Sequence, residues 1–366
     1  MDNYQIRLLK TMLKTYSPSG QEKELSSFLH GELKRLGFNS RRDDVGNVIG
    51  ESGQGSPSVL LCGHMDTVPG DLSVKTAKEK MRARGAVDAK SSLAAMIAGA
   101  TEVREDFPGK ITVLGVVDEE GRGTGIRHFV QKSQMNVDYA VFGEPSNTDN
   151  IVIGYKGLLH LRLECGTKTG HAAVPWLHDN AVEKSVEIWS LIRSGFAESG
   201  GSPFQSVTGC LTGIAGGNAI NVVPSKCTFT IDIRIPPDTS SSSVLRSIRK
   251  KIGSYLNDNP NVTIDLDIMD QVEGCLMNPD SVIARSFSWA IRRVRGKSPV
   301  FLKKTGTSDM NLLACRTRIP MIAYGPGDSR LDHTDQEEIS FKDYSAAIEI
   351  HEEALKRLAV LHEKTN

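Results

Sequence analysis

Four short apolar runs along the chain end in the same way. "SVLLC" leads into Gly63-His64-Met65-Asp66, "ITVLGVV" into Asp118-Glu119-Glu120, and "YAVF" into Gly143-Glu144-Pro145. "IPMIAYG" is followed, after a Gly/Pro-rich loop, by Asp332-His333. Each run has the length and the β-branched or aromatic content of a strand. Between the first two lies "SSLAAMIAGATEVRED", where Leu93, Met96, Ile97 and Ala100 share one face at helical spacing. Strand, helix and strand in alternation predict an α/β fold with a mostly parallel sheet covered on both faces. Ligands of such sheets bind beyond the carboxyl ends of the strands. Acids and histidines from distant parts of the chain are therefore expected at one sheet edge. Near the N-terminus, Leu9, Met12, Leu13 and Tyr16 fall at i, i+3, i+4 and i+7 and predict an amphipathic helix.

The middle third changes pattern. It reads as strand (158–165), helix (179–194), strand (206–213), strand (227–235), helix (240–256) and strand (262–268). This β-α-β-β-α-β order is the ferredoxin-like arrangement, and "TFTIDIRI" alternates as a half-solvated strand should. The expected organisation is a discontinuous domain of residues 1–156 and 271–366 with residues 157–270 inserted. Helices are predicted at 281–294 and 342–363.

Composition adds limits. A chain of 366 residues favours two domains. Lys+Arg and Asp+Glu both number 44, which argues against a global nucleic-acid binder. No apolar run approaches the ~18 residues of a membrane span, and "MDNYQIRLLKTMLKTY" lacks the features of a signal peptide. A cytoplasmic protein is the expectation. Six cysteines at 62, 165, 210, 227, 275 and 315 form no CxxC pair and read as reduced thiols, with Cys62 packed in a strand.

The polar residues at the strand ends suit a metal centre. His64 offers a neutral imidazole, and Asp66 could take its other ring N–H. Asp88, at the mouth of a helix, has two oxygens and could bridge two ions. Glu119 and Glu120 are adjacent, and on a strand end they would point in opposite directions, one to metal and one to substrate as general base. Glu144 and His333 complete two ligand sets. Taken alone, each is an ordinary surface or loop residue; their conjunction is the signal. His30, His128, His160, His178, His351 and His362 match no motif and read as structural or surface residues.

"GHMDTVP", "ARGAVDAK", "DEEGRGTG", "GEPSN", "GHAAVP", "GNAINVVP", "GTSD" and a late "DH" resemble, in order and over nearly the whole chain, the M20 dinuclear zinc aminoacylases and carboxypeptidases. The resemblance implies two zinc ions per subunit, with cobalt as a substitute. His64, Asp88 and Glu144 would hold one ion, and Asp88, Glu120 and His333 the other. Glu119 would be the general base and acid, and Asp66 would orient His64. The Asp88–Ala89 peptide would be cis. The sequence departs from the family at Ser91–Ser92, where many members have glycine. The inserted domain resembles the family's lid and dimerisation domain, which implies a homodimer. In it, His171 would stabilise the oxyanion, in trans, unless it is only a loop histidine. Asn218 would be a polar substrate or oxyanion contact. Arg234 would bind a substrate carboxylate, unless it is an ordinary surface arginine. Thr307 and Ser308 would line the pocket. Asp309 would meet a cationic substrate group or cap a helix.

Within the family, "GEPSNTDNIVIGYKG", "KKTGTSDMNLL" and "AYGPGDSRLDHTDQEEIS" resemble the branch that hydrolyses lysine or ornithine from an amino-group carrier protein in lysine and arginine biosynthesis. The implied substrate is the amide on the γ-carboxyl of the C-terminal glutamate of a small acidic carrier. "RRVRGK" (292–297) and Lys303–Lys304 could steer that carrier. Acetylornithine deacetylase, succinyl-diaminopimelate desuccinylase or dipeptidase activity shares the chemistry. A non-catalytic amino-acid-binding scaffold is the alternative from another class.

Overall fold

The computed structural model describes residues 3–132, 136–196 and 202–364. The chain divides into two compact units. The first comprises Met1–Gly154, Met277–Lys303 and Ser308–Asn366, and the second Tyr155–Leu276 and Lys304–Thr307. In chain order, the strands used below are β1 (Asn39–Arg42), β2 (Val48–Gly53), β3 (Ser58–His64), β4 (Lys110–Val116), β5 (Tyr139–Phe142), β6 (Ile151–Tyr155), β7 (Gly157–Gly166), β8 (Thr208–Gly216), β9 (Lys226–Ile235), β10 (Thr263–Val272) and β11 (Met321–Ala323).

The first unit is built on a mixed sheet of order β1-β2-β4-β3-β5-β11-β6. Its centre is parallel. β3 pairs with β4 from Ser58↔Lys110 to His64↔Val116, and with β5 from Val59↔Tyr139 to Cys62↔Phe142. β11 pairs with β5 from Met321↔Ala140 to Ala323↔Phe142. The carboxyl ends of these four strands are therefore level at one edge. Every residue of β3 and β5 is buried, Cys62 included. That is why they read as unbroken apolar runs: helices cover both faces of the sheet.

The helix Lys90–Val103 lies between sheet and outer helices and contacts Asn3–Lys14 and Phe341–Glu363. It is buried all round, not only along the Leu93, Met96, Ile97 and Ala100 stripe. Ser91 and Ser92 are fully buried. Ser92 fits because the chain facing it has no side chains there: a Cβ on Gly325 would lie 2.1 Å from Ser92 Oγ, and one on Gly143 would lie 3.3 Å from Ser92 Cβ. The N-terminal helix ends at Lys14, so Tyr16 lies beyond it; its hydroxyl accepts from Gly70 N at 3.1 Å.

The second unit has an antiparallel sheet of order β8-β9-β7-β10, with helices Ala181–Arg193 and Ser241–Asp258 between the strands in sequence. β9 alternates buried and partly exposed positions, as expected for a sheet with one covered face. Asn180 and Ser240 cap the two helices through their side chains. The division departs from the expected boundaries. Lys156 belongs to the second unit because its buried ammonium donates to Pro203 O, Ser206 O and Thr208 Oγ1 at 2.6–3.0 Å. Lys304–Thr307 joins it as well: Lys156 N donates to Lys304 O, and Thr307 Oγ1 to Lys156 O. β10 extends to Val272 by pairing with β7.

Candidate metal centre

The level strand ends of the first unit gather His64, Asp88 and Glu120. One ligand-capable atom from each lies within 4.8 Å of the others. His64 closes β3 and is 2% exposed. Its Nδ1 lies 3.0 Å from the carbonyl oxygen of Asp66, and its Nε2 lies 3.2 Å from Asp88 Oδ1. A carbonyl can only accept, so Nδ1 carries the proton. The Nε2 lone pair of a neutral ring then faces a carboxylate, which is tolerable only with a cation between them: a second proton or a metal ion. Asp88 turns its other oxygen to the second histidine, with His333 Nε2 3.0 Å from Asp88 Oδ2 and 2.9 Å from Glu120 Oε1. A single ring N–H cannot point well at two carboxylates, whereas an ion can bind all three groups. The donor set of imidazoles and carboxylates fits a divalent metal. The Asp88–Ala89 peptide is cis, as the resemblance implied.

The electrostatics agree. Burial opposes charge on His64, but hydrogen bonding to Asp66 and Asp88 outweighs it and pushes the imidazole well above its ordinary value. His333 is pushed up to about 10 by hydrogen bonding to Asp88 and Glu120. Burial raises Glu119 well above the usual carboxylate range; His64 opposes this, while Asp309, Glu144 and Glu120 add to it. Glu144 follows the end of β5, and its charge bears on Glu119 and Asp309. Such a concentration of acid invites cations.

Asp66 stands beside His64, as expected, and holds more than that ring. Its backbone carbonyl, not its carboxylate, is the nearer partner of His64; Oδ1 stands 3.7 Å from Nδ1. The carboxylate also accepts from Glu119 N at 3.1 Å and Glu120 N at 3.0 Å, and from Ser19 Oγ at 2.7 Å. Glu119 and Glu120 lie in a turn beyond β4, so strand pleating does not separate them. The turn is set by Asp118, at φ 61°, and by the amide bonds to Asp66. Glu22 holds the next amide, with Asp118 N donating to its Oε1 at 3.0 Å.

Ser308 and Asp309 also belong to the first unit. Ser308 is the N-cap of the helix Asp309–Ala314: its Oγ accepts from Met310 N, and its amide donates to Asn311 Oδ1. Its hydroxyl oxygen and amide thus serve its own helix, and the cap expected of Asp309 falls to Ser308. Asp309 is 5% exposed and is pushed up to about 8, first by burial; His64 and Arg127 oppose this, and Asp66 and Glu144 add to it. The basic "RRVRGK" run is largely neutralised within the unit. Arg293 pairs with Glu353 at 2.7 Å, Arg295 with Asp149 at 2.6 Å and Asp343 at 3.1 Å, and Lys297 with Asp149 at 3.1 Å.

The second unit holds the remaining candidates. His171 is exposed, and its Nδ1 accepts from Ala173 N at 3.0 Å. A two-residue ladder, Gly170↔Val223 and His171↔Val222, ties the "GHAAVP" loop to the "GNAINVVP" loop that carries the exposed Asn218. Arg234 already has partners. Nε and Nη2 donate to the two Asp232 oxygens at 2.8 Å each, and Nη1 donates to Thr307 Oγ1 at 3.1 Å. A substrate carboxylate would have to approach the N–H groups left on Nη1 and Nη2.

Sequence reasoning passed over Ser19, Glu22, Arg84, Glu337 and Arg127. Arg84 carried a usable signal: an arginine inside "ARGAVDAK", ahead of a buried helix, needs a buried acid.

Known proteins agree with this architecture. The profile of Peptidase family M20/M25/M40 matches residues 60–357. A Pyrococcus furiosus protein provisionally named a LysW-lysine/LysW-ornithine hydrolase is 33% identical, covering 97% of each chain. A Deinococcus radiodurans protein named LysW-lysine hydrolase is 31% identical, covering 96% of each. An M20 family metallo-carboxypeptidase of Sulfolobus solfataricus superposes with a TM-score of 0.84 at 19% identity, over 98% of this chain and 100% of the other. A Bacillus subtilis structure described as a dinuclear metal-binding M20 peptidase gives 0.75 at 14% identity, with 98% of each covered. Profile, full-length relatives and fold converge: the chain belongs to peptidase family M20/M25/M40.

Proposed function

We propose that the protein is a cytoplasmic, zinc-dependent amide hydrolase that releases lysine or ornithine from the C-terminal glutamate γ-carboxyl of a small acidic amino-group carrier protein. The observation that carries this reading is the division of Asp88: one oxygen faces His64, the other His333 and, beside it, Glu120. His64, Asp88 and Glu144 would hold one zinc ion, and Asp88, Glu120 and His333 the other; cobalt suits the same donors. When bound, the ions polarise the amide carbonyl and lower the pKa of a water toward ~7. Glu119 removes the proton of the attacking water and returns it to the leaving amine. Asp66 fixes both that base and the neighbouring ligand through their backbone amides. His171 is assigned to the oxyanion, supplied by the second copy of a homodimer formed through the ferredoxin-like lid expected over residues 157–270. Arg234, Asn218 and Thr307 are assigned to the substrate, and Asp309 to its distal ammonium. The names of the relatives support the carrier-linked substrate.

The test is hydrolysis by the purified, zinc-loaded protein. Release of lysine or ornithine from the charged carrier, far faster than deacetylation of N-acetylornithine, is expected. The reverse preference would move the assignment to a free-substrate deacylase. Tight lysine binding without turnover of any amide would make the protein a scaffold.

A further inference from the structure

We propose that Arg84 and Glu337 are positioning residues that hold the Asp88 and His333 loops in register, and so set the affinity of the His333 side of the centre for its ion. The ion itself rests on the reading above; the latch between the loops does not.

Arg84 is 5% exposed and Glu337 is fully buried. Arg84 Nη1 lies 2.8 Å from Glu337 Oε1. Burying either charge alone is strongly unfavourable, so each requires the other. The pair also carries the backbone on both sides. Arg84 Nη1 donates to Thr334 O at 2.9 Å, the carbonyl directly after His333, and Nε donates to Gly70 O at 2.9 Å, in the loop that follows Asp66. Glu337 Oε2 accepts from Gly85 N at 2.7 Å and Val87 N at 3.4 Å, the latter directly before Asp88. One guanidinium–carboxylate unit thus grips the residue after one candidate ligand and the residue before another. A short ladder, Arg82↔Glu338 and Met81↔Ile339, with Ala83 N donating to Glu337 O at 3.2 Å, brings the two segments together.

His333 needs such support. His64 closes a buried strand, whereas His333 follows the single turn Ser329–Leu331 and stands at φ 62°, in the left-handed region. Neither helix nor sheet fixes it. A planar fork can hold two carbonyls and a carboxylate at once; a lysine at the same place is a point donor.

The experiment compares Arg84→Lys and Glu337→Gln with the parent by hydrogen exchange on the metal-free protein, zinc titration and thermal unfolding. Arg84→Lys keeps a cation for Glu337 but loses the fork. It should exchange faster at residues 333–335, and one of its two zinc equivalents should bind ~10–100-fold more weakly while the other stays within about twofold. Glu337→Gln should also loosen residues 85–88. Parental exchange at 333–335 in both variants would overturn the latch. So would a uniform rise in exchange across the chain with equal loss at both zinc equivalents, the signature of a general staple. If one variant fails to fold, the other decides on the same readouts. If the parent binds no zinc, the metal reading fails, and exchange alone still decides the latch.

Discussion

His64 and His351 are buried to nearly the same depth, and their imidazoles respond in opposite directions. His64, at the sheet edge, meets Asp66 and Asp88 and is pushed well up. His351 lies in the helix Phe341–Glu363 with its ring against Phe287 and Tyr324, at centroid distances of 5.4 and 5.2 Å. Neither of its nitrogens meets a hydrogen-bond partner among the described residues, and burial alone pushes it down to about 3. Depth does not make a histidine chemical; the neighbours do. One ring calls for a cation, and the other is a flat apolar filler that excludes charge.

The comparison can be broken at several points. The largest effect is expected from Asp88→Ala, which removes the carboxylate that faces both His64 and His333 and is proposed to bridge two ions. Metal analysis after dialysis should find neither ion, and retention of both would refute the bridging role. Glu119→Gln should keep the metal yet lose ~10²–10⁴-fold in turnover, because a general base is worth about that much; parental turnover with metal present would reassign the base. His351→Leu should leave metal content and turnover intact, and a loss of zinc there would mean that the two histidines are not so different. It should change the acid limb of stability instead. The folded value of His351 lies below the ordinary 6.5, so its contribution is present above pH ~6.5 and is lost as pH falls toward 3. At pH 5 the loss is about 2 kcal/mol, and the variant's denaturation midpoint should fall correspondingly less between pH 7 and 5. Least affected should be Lys297→Ala, because Lys297 already faces Asp149. Carrier association should then change less than ~2-fold, and a tenfold drop in its rate would restore the steering role of that basic run.

How much of this was legible follows from what sequence spacing encodes. Strand ends and helical stripes are local patterns, so the parallel centre of the first unit and the element order of the second could be read directly. The convergence of His64, Asp88, Glu120 and His333 could be read because parallel strands share an edge. Spacing said less where a side chain serves a distant partner as well as a local one. Asp66 stands beside its neighbour His64, and its carboxylate also holds the amides of Glu119 and Glu120. Ser308, expected to line the pocket, also caps its own helix. Arg234 has a local partner that spacing did not announce: it is forked onto Asp232, two residues away on the same strand, with N–H groups left over. The Arg84–Glu337 pair spans 253 positions; no local pattern announces it.

The fit of Ser92 against Gly143 and Gly325 couples parts of the chain that no one would align by eye. A hydroxymethyl group on the helix and bare backbone on the facing segments share one small volume. A methyl added to Gly325 would meet Ser92 Oγ at 2.1 Å and the backbone oxygen of Glu144 at 2.8 Å, so shrinking Ser92 alone would not make room for it. Anyone grafting this helix into a relative would have to carry Gly143 and Gly325 along with it.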